Sequence, residues 1–304
     1  MRISTIKIKN EEKAAIVLNN RFYLLEEINK AFNKEWSEDL LDLIKNEELT
    51  SVRDWFDAEG IVALKQLEGI DEGDAEVAPL YRQPGKLWGI GLNYVEHAAD
   101  LKEVAPNTEP ASFMKPTTTI IGEKETIIIP LQSDRTTAEA ELGIIIGKEC
   151  KDVEEEDAIN YVAGYTTILD MTAEDILEKN PRYLTRSKSF DTFFSFGPEL
   201  VTPDEIDDVM DLEVSTMING LLHRKNVVSN MTFTPWNLVS FHSKVMTLLP
   251  GDIISTGTPG AVVIRDGDVV SCEIDGFKTL VNNVKDAKVE GKEIKEKQVE
   301  QTKL

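Results

Sequence analysis

Short apolar segments alternate with polar turns along most of the chain, and in the first 80 residues this pattern predicts both strands and helices. Three β-rich segments lie at residues 3–8, 14–18 and 21–25. Two helical stretches follow, at residues 38–45 and 49–66. An acidic segment with two glycines follows at residues 69–77 and is typical of a linker. We therefore predict a small N-terminal domain over residues 1–80.

From residue 81 the apolar segments recur more regularly, with turn pairs such as Asn219-Gly220 and Asp275-Gly276 between them. The β-rich segments lie at residues 87–91, 118–121, 126–129, 142–146, 165–169, 212–218, 252–254 and 269–274. Few helices interrupt them. The pattern predicts a β-dominated α+β domain over residues 81–284 rather than an alternating βαβ fold. The mostly Lys and Glu tail over 285–304 lacks an apolar stripe, and we expect it to be frayed or loosely helical.

Three helices are predicted in this larger domain, over residues 153–162, from near 172, and from 234 onwards. Thr234 is a good N-cap, and Pro235 is preformed for the first helical turn. The apolar residues of this third helix recur at helical spacing and are expected to face the core: Leu238, Phe241, Val245 and Leu248.

The charge of the chain excludes some classes of partner. The 304 residues carry a formal net charge of −22, so nucleic acids and anionic membranes would be repelled. Two cysteines, Cys150 and Cys272, form neither a disulfide framework nor a metal-binding pattern, and we expect buried free thiols in a reducing compartment. No signal-peptide pattern opens the chain and no apolar stretch approaches transmembrane length, so we predict a cytoplasmic protein.

The most informative chemistry comes from three carboxylates. Glu139 and Glu141 open the strand-like segment 142–146, and residues two apart on a strand share a face. Asp170 ends a second apolar segment and could supply a third oxygen ligand. An all-carboxylate set suits Mg²⁺ or Mn²⁺ rather than zinc. The simpler alternative is two solvated strand residues and a turn aspartate.

Histidine is scarce, so a catalytic imidazole has few candidates. His97 follows an apolar strand, and Asp100 would share its face if the turn is helical; such a pair suits a general base that activates water. The alternative is an ordinary histidine in a surface turn. We interpret His242, in the third predicted helix, as structural and His223, after a turn, as exposed.

Two lysines and one turn complete the candidates. Lys115 and Lys188 interrupt apolar surroundings and could neutralise a substrate carboxylate or an enolate, although taken singly they could equally be solvated. The turn Ser255-Thr-Gly-Thr-Pro259 follows a strand and exposes backbone N–H groups and hydroxyls, as anion-binding turns do.

In their order along the chain, these segments resemble the catalytic domain of the fumarylacetoacetate hydrolase superfamily. The matching stretches are Gly91-Leu-Asn-Tyr-Val-Glu-His97, Phe113-Met-Lys-Pro116, Glu139-Ala-Glu-Leu142, Ile146-Gly-Lys148, Gly164-Tyr-Thr166 with Asp170, Lys188-Ser-Phe-Asp-Thr192, Gly197-Pro198, Asn219-Gly220 and residues 249–259. The resemblance covers about two-thirds of the chain. It implies a twisted mixed β-roll, a divalent metal on Glu139, Glu141 and Asp170, a homodimer, and cleavage of a carbon–carbon bond beside a 2-oxo or 1,3-dicarbonyl group.

The resemblance also implies roles for individual residues in a Mg²⁺- or Mn²⁺-dependent hydrolase of an acylpyruvate- or fumarylpyruvate-like diketo acid. His97, oriented by Asp100, would activate water, and Lys115 would neutralise charge at the attacked carbonyl while the metal stabilises the enolate left by bond cleavage. The remaining residues would contact the substrate: Lys188, Tyr165, Gly257, Thr258 and Arg186.

Two departures from the family pattern keep alternatives open. The family has an Arg and a Gln after the metal-binding Asp, where this chain has Glu174 and Leu177, and Arg182 or Arg186 would have to compensate. A second hypothesis is therefore an oxaloacetate decarboxylase or a 2-hydroxyhepta-2,4-diene-1,7-dioate isomerase/decarboxylase. A third hypothesis is a catalytically silent binding protein that keeps the fold.

Overall fold

The computed structural model describes residues 1–95 and 106–289 and confirms a strand-rich α+β fold. In the first 80 residues the strands are β1 (Arg2–Ile8), β2 (Glu11–Leu18), β3 (Arg21–Leu24), β4 (Ile70–Asp71) and β5 (Glu76–Val77). The later strands are β6 (Leu87–Gly91), β7 (Ala111–Met114), β8 (Ile120–Ile121), β9 (Thr126–Ile129), β10 (Thr136–Ile146), β11 (Val162–Ala173), β12 (Phe194–Val201), β13 (Glu213–Ile218), β14 (Leu221–Val227), β15 (Ile253–Ser255), β16 (Val262–Val263), β17 (Val269–Ile274) and β18 (Leu280–Asp286).

The helices are short. In the part of the chain that the structure describes they are α1 (Leu25–Phe32), α2 (Leu40–Lys45), α3 (Leu49–Trp55), α4 (Ile61–Ala63), α5 (Glu174–Lys179), α6 (Leu184–Lys188) and α7 (Pro235–Val245). A π-helical turn, Phe56–Gly60, joins α3 to α4, and a 3₁₀ turn, Leu64–Gln66, follows. Among the described residues, no helix is both long and apolar enough to cross a bilayer.

Two sheets contain the described strands. The larger sheet runs in the order β4-β3-β2-β1-β12-β11-β10-β15-β6-β7, with β5, β8 and β16 pairing at its sides. The smaller sheet has the order β14-β13-β17-β18-β9. Because β1 pairs with β12, the N-terminal strands continue the sheet of the later segment. The division of the chain at residue 80 stays a prediction.

The largest apolar cluster lies on one face of the β10–β11 pair. Leu142 and Ile144 of β10 pack there with Val214 and Val270 of the smaller sheet and with Leu238 of α7. The two central strands are therefore covered on this face by the second sheet and by a helix. Burial on both faces explains why β10 is buried along its whole length.

Several predicted boundaries needed correction. Strands β10 and β11 run past residues 139–141 and 170, so the three acidic residues lie inside strands rather than at their ends. Residues 155–161 form a 3₁₀ helix instead of the predicted α-helix, and α1 was not predicted. Helix α5 begins at Glu174 with no side-chain cap, because Thr172 belongs to β11.

The start of α7 is confirmed, but its predicted core face is partly wrong. Thr234 caps the helix by accepting a hydrogen bond from the N–H of Asn237 at 3.2 Å. Leu238 is buried as predicted, whereas Val245 is exposed. The helix instead buries His242, whose ring lies 4.7 Å from that of Trp88. The helix therefore turns a mixed apolar and polar face to the core.

Candidate metal centre

The antiparallel pairing of β10 with β11 brings the three predicted carboxylates together. Glu139 is the direct partner of Asp170, and Glu141 follows two residues later on the same face of β10. Their ligand oxygens lie within 4.8 Å of one another. Glu139, Glu141 and Asp170 are 7%, 1% and 0% exposed, so the alternative of solvated acidic residues is excluded.

Two buried lysines neutralise part of this charge. Lys188, at the end of α6, lies 2.8 Å from Asp170 Oδ2 and 3.0 Å from Glu139 Oε2. Lys115, just after β7, forms an ion pair with Asp170 Oδ1 and donates to the carbonyl of Phe193 at 2.7 Å. Both lysines predicted from the sequence therefore lie beside the carboxylates.

Glu141 is held by neutral donors instead of a lysine. Its Oε2 accepts from the hydroxyl of Ser255 at 2.5 Å and from the N–H of Gly257 at 2.8 Å. Burial, together with the charges of Asp170 and Glu139, raises the pKa of Glu141 to about 8. The two lysines therefore do not fully offset the effect that the charges of Asp170 and Glu139 have on Glu141.

The pKa values of the other buried groups follow from the ion pairs. Burial alone would raise the pKa of Asp170, but the charges of Lys115 and Lys188 outweigh burial and lower it. Burial would likewise lower the pKa of Lys188, but Asp170 and Glu139 raise it. For Lys115 burial dominates, and its pKa is lowered. Lys188 is thus the firmly charged cation of the cluster.

Hydroxyl groups fix the remaining carboxylate. Thr172, two residues after Asp170 on β11, donates to Glu139 Oε1 at 2.6 Å, and Thr137 lies 3.5 Å from the same oxygen. Each carboxylate therefore has at least one donor that holds its orientation. Fixed orientations of this kind preorganise a set of carboxylates for binding a cation.

The chemistry of this set fits a hard divalent cation. When all three carboxyl groups are ionised, the two ammonium groups leave one negative charge, and the raised pKa of Glu141 shows that this charge is unfavourable without a cation. Its ligand atoms are all oxygens, which Mg²⁺ and Mn²⁺ prefer, and no sulfur or imidazole ligand lies among the described residues of the cluster.

Comparison with known proteins agrees with this geometry. Residues 86–285 match the family model described as the C-terminal domain of fumarylacetoacetate (FAA) hydrolase. The chain belongs to the fumarylacetoacetate hydrolase family. The family resemblance expected from the sequence is thereby confirmed.

Relatives and solved structures of this family carry several activities. An oxaloacetate tautomerase of Xenopus laevis is 39% identical over 217 residues, which is 68% of this chain and 67% of that protein. A maleylpyruvate hydrolase of Sphingobium sp. SYK-6, in complex with manganese(II) and pyruvate, has a TM-score of 0.77 at 27% identity and covers 94% of this chain and 99% of its own. A 2-hydroxyhepta-2,4-diene-1,7-dioate isomerase of Mycobacterium marinum has a TM-score of 0.65 at 35% identity, and the match covers 72% of this chain and 81% of that protein.

Some residues named from the family resemblance lie away from the carboxylates. Tyr165 is the strand partner of Ile144 on β10. Ile144 is five residues from Glu139, so the side chains of Ile144 and Tyr165 lie on the opposite face of the sheet, in the apolar core. The structure does not bring it to the acidic cluster. Arg186 is exposed on α6. His97 and Asp100 lie outside the described residues.

The glycine-containing turn after β15 binds a carboxylate, as its sequence indicates, but this carboxylate belongs to the protein itself. Its Ser255 hydroxyl and Gly257 N–H bind the protein's own carboxylate, Glu141. Thr258 is buried, and its hydroxyl lies 3.2 Å from the N–H of Gly260 within the same turn. The contacts of Ser255 and Thr172 with the acidic residues were missed, because both residues lie beyond the ends of the predicted strands and a helix was predicted from near residue 172.

Proposed function

We propose that this chain is a divalent-metal-dependent enzyme that hydrolyses a carbon–carbon bond in an acylpyruvate-like 1,3-diketo acid. Glu139, Glu141 and Asp170 hold Mg²⁺ or Mn²⁺. The observation that carries the proposal is the buried cluster of three carboxyl groups, in which Glu141 has no lysine partner and its pKa is raised by burial and by the other two. The family's enzymes, which include a manganese- and pyruvate-bound hydrolase, support it.

Each residue around the cluster has its own role in the proposed reaction. When bound, the cation acts as a Lewis acid on the 2-oxo acid end of the substrate. Lys188 fixes the orientation of Glu139 and Asp170 and adds positive charge where the substrate carboxylate binds. Lys115 supplies a second ammonium beside Asp170. Thr172 and Ser255 keep two of the carboxylates in place.

His97 is the proposed general base, with Asp100 holding its tautomer. It takes a proton from a water molecule that adds to the distal carbonyl of the diketo acid. The carbon–carbon bond then breaks, the proton held by His97 passes to the carbon that leaves, and pyruvate and a carboxylic acid are released. The homodimer implied by the family resemblance stays a prediction.

A second candidate is a decarboxylase, tautomerase or isomerase acting on oxaloacetate or a related 2-oxo diacid. The tautomerase and isomerase relatives favour it, since their sequence identity to this chain is higher than that of the hydrolase. Such reactions use the same 2-oxo acid chemistry but need no activated water.

The replacement His97→Ala distinguishes these two functions. We expect acylpyruvate cleavage to fall by about 10²–10⁴-fold, the usual contribution of a positioned general base, while oxaloacetate turnover falls much less. Steady-state rates on both substrates, with Mg²⁺ and with Mn²⁺, give the comparison. The matched control is His223→Ala, which removes an exposed histidine of β14 and should leave both rates unchanged. Undiminished acylpyruvate cleavage in His97→Ala would exclude His97 as the general base, and oxaloacetate turnover without acylpyruvate cleavage by the wild-type protein would replace the hydrolase with the second candidate.

A further inference from the structure

Glu174 is a buried carboxylate at the edge of the metal centre that the proposed chemistry does not use. It directly follows β11 and begins α5, and its N–H donates to the carbonyl of Arg135 at 2.9 Å, which extends the β10–β11 ladder by one pair. Strand alternation puts position 174 on the same side as Asp170 and Thr172. Burial raises the pKa of Glu174, and the charge of Glu139 acts in the same direction. Glu174 therefore lies within electrostatic reach of the centre.

Arg135 holds this carboxylate in place. Its Nε lies 2.7 Å from Glu174 Oε2, and its NH1 lies 3.2 Å from Glu178 Oε1, one helical turn further along α5. The side chain of Glu174 is 9% exposed, whereas those of Arg135 and Glu178 are 50% and 60% exposed. The three side chains together carry one negative charge. Because Glu174 and Glu178 already neutralise the guanidinium of Arg135, Arg135 offers no net positive charge to a carboxylate of the substrate.

Among the described residues, protein groups cover the cluster on the sides of Asp170 and Glu141. Lys115 and Lys188 cover Asp170, and the Ser255 hydroxyl and Gly257 N–H cover one oxygen of Glu141. The ladder continues from Glu139 through Thr172 towards Glu174. Within the described part of the chain, this leaves the ladder towards α5 as the direction for the distal end of an extended substrate whose 2-oxo acid end binds at the cluster.

We infer that Glu174, held by Arg135, makes this site select diketo acids with an uncharged distal end and reject those that end in a second carboxylate. The inference rests on the proposed function, which it narrows to acylpyruvates such as acetylpyruvate. Two like charges several ångströms apart in a partly buried site repel strongly enough to change relative affinity by roughly 10–100-fold. The hydrolase and isomerase relatives act on diacids, so this chain would differ from them in substrate class.

Two substrates with the same 2-oxo acid end test the inference: acetylpyruvate, which ends in a methyl group, and fumarylpyruvate, which ends in a carboxylate. Wild-type enzyme should give the higher kcat/KM on acetylpyruvate. In Glu174→Gln, which keeps the size of the side chain and removes its charge, the kcat/KM ratio of fumarylpyruvate to acetylpyruvate should rise by roughly 10–100-fold, mainly through KM. Raising the salt concentration should narrow the wild-type preference, because salt screens charge repulsion.

The matched control is Glu178→Gln, which removes the same charge from the exposed partner of Arg135 and should change the ratio less than about 2-fold. A wild-type preference for fumarylpyruvate, or a ratio unchanged in Glu174→Gln, would overturn the inference while leaving the proposed function intact. Wild-type enzyme that cleaves neither substrate with Mg²⁺ or Mn²⁺ would instead overturn the proposed function.

Discussion

Glu141 and Leu142 are neighbours on β10 and are both almost completely buried, yet they face opposite environments. Leu142 points into an apolar cluster made with the smaller sheet and α7. Glu141 points into a group of three carboxylates and two lysines, where each charged group depends on a specific donor or partner. The pleat of a single pair of strands thus separates an apolar core from a charged centre.

The difference shows how the chain can keep three carboxylates in its interior. Burying charges is costly, and ion pairs in the interior often fail to repay the desolvation. The apolar face supplies non-directional stabilisation that does not depend on the charged face. The pKa of Glu141 near 8 shows the cost on the charged face: without a cation this carboxyl group holds a proton at neutral pH instead of adding a third negative charge. The two faces should respond differently to replacement.

The largest loss of stability is expected on the charged face. Lys188→Met removes the ammonium group between Glu139 and Asp170. Because both carboxylates then stay buried without this partner, the free energy of unfolding should fall by about 3–5 kcal/mol. Denaturant unfolding of the metal-free protein measures it. Lys225→Met is the control, since its ion pair with Glu213 at 3.0 Å is exposed and should contribute at most about 1 kcal/mol. Equal losses in both variants would contradict the account.

On the apolar face, Leu142→Ala should cost about 2–5 kcal/mol of unfolding free energy, because it leaves a cavity in the core. Here the stabilisation by added Mn²⁺ should be retained, since the carboxylates face the other way. Leu221→Ala, at an exposed position of β14, should change stability by less than about 0.5 kcal/mol. Loss of the Mn²⁺ effect in Leu142→Ala would show that the two faces are not independent.

The smallest predicted effect concerns the hydroxyl that supports Glu139. Thr172→Val keeps the shape of the side chain but removes a 2.6 Å hydrogen bond to a charged group, which should cost roughly 1.5–3 kcal/mol. Thr137→Val removes only a 3.5 Å contact with the same oxygen, and its effect should be clearly smaller. Unfolding curves of the two variants, measured side by side, give the comparison. If Thr137→Val proved the more damaging, the assignment of Thr172 as the support of Glu139 would be incorrect.

Sequence pattern predicted the acidic centre well because strand alternation alone puts Glu139 and Glu141 on one face. It could not show that both residues lie inside β10 rather than at its end, since polar residues usually interrupt a buried strand. Tertiary pairing overrides that preference here: Asp170 and Lys188 supply the charge partners, and Ser255 arrives from a segment 114 residues away from Glu141. Alternation also could not identify Arg135 as the partner of Glu174, because that contact depends on the register of the ladder.

The central claim is that Glu139, Glu141 and Asp170 bind a divalent cation, and thermal unfolding with and without metal tests it most directly. The melting temperature of the wild-type protein should rise as Mn²⁺ or Mg²⁺ is added, because a ligand that binds only the folded state adds about 2.7 kcal/mol at a hundred times its Kd. In Glu141→Gln, which keeps the fold and an acceptor for Ser255, this rise should disappear. An equal rise in the variant, or none in the wild-type protein, would contradict the claim.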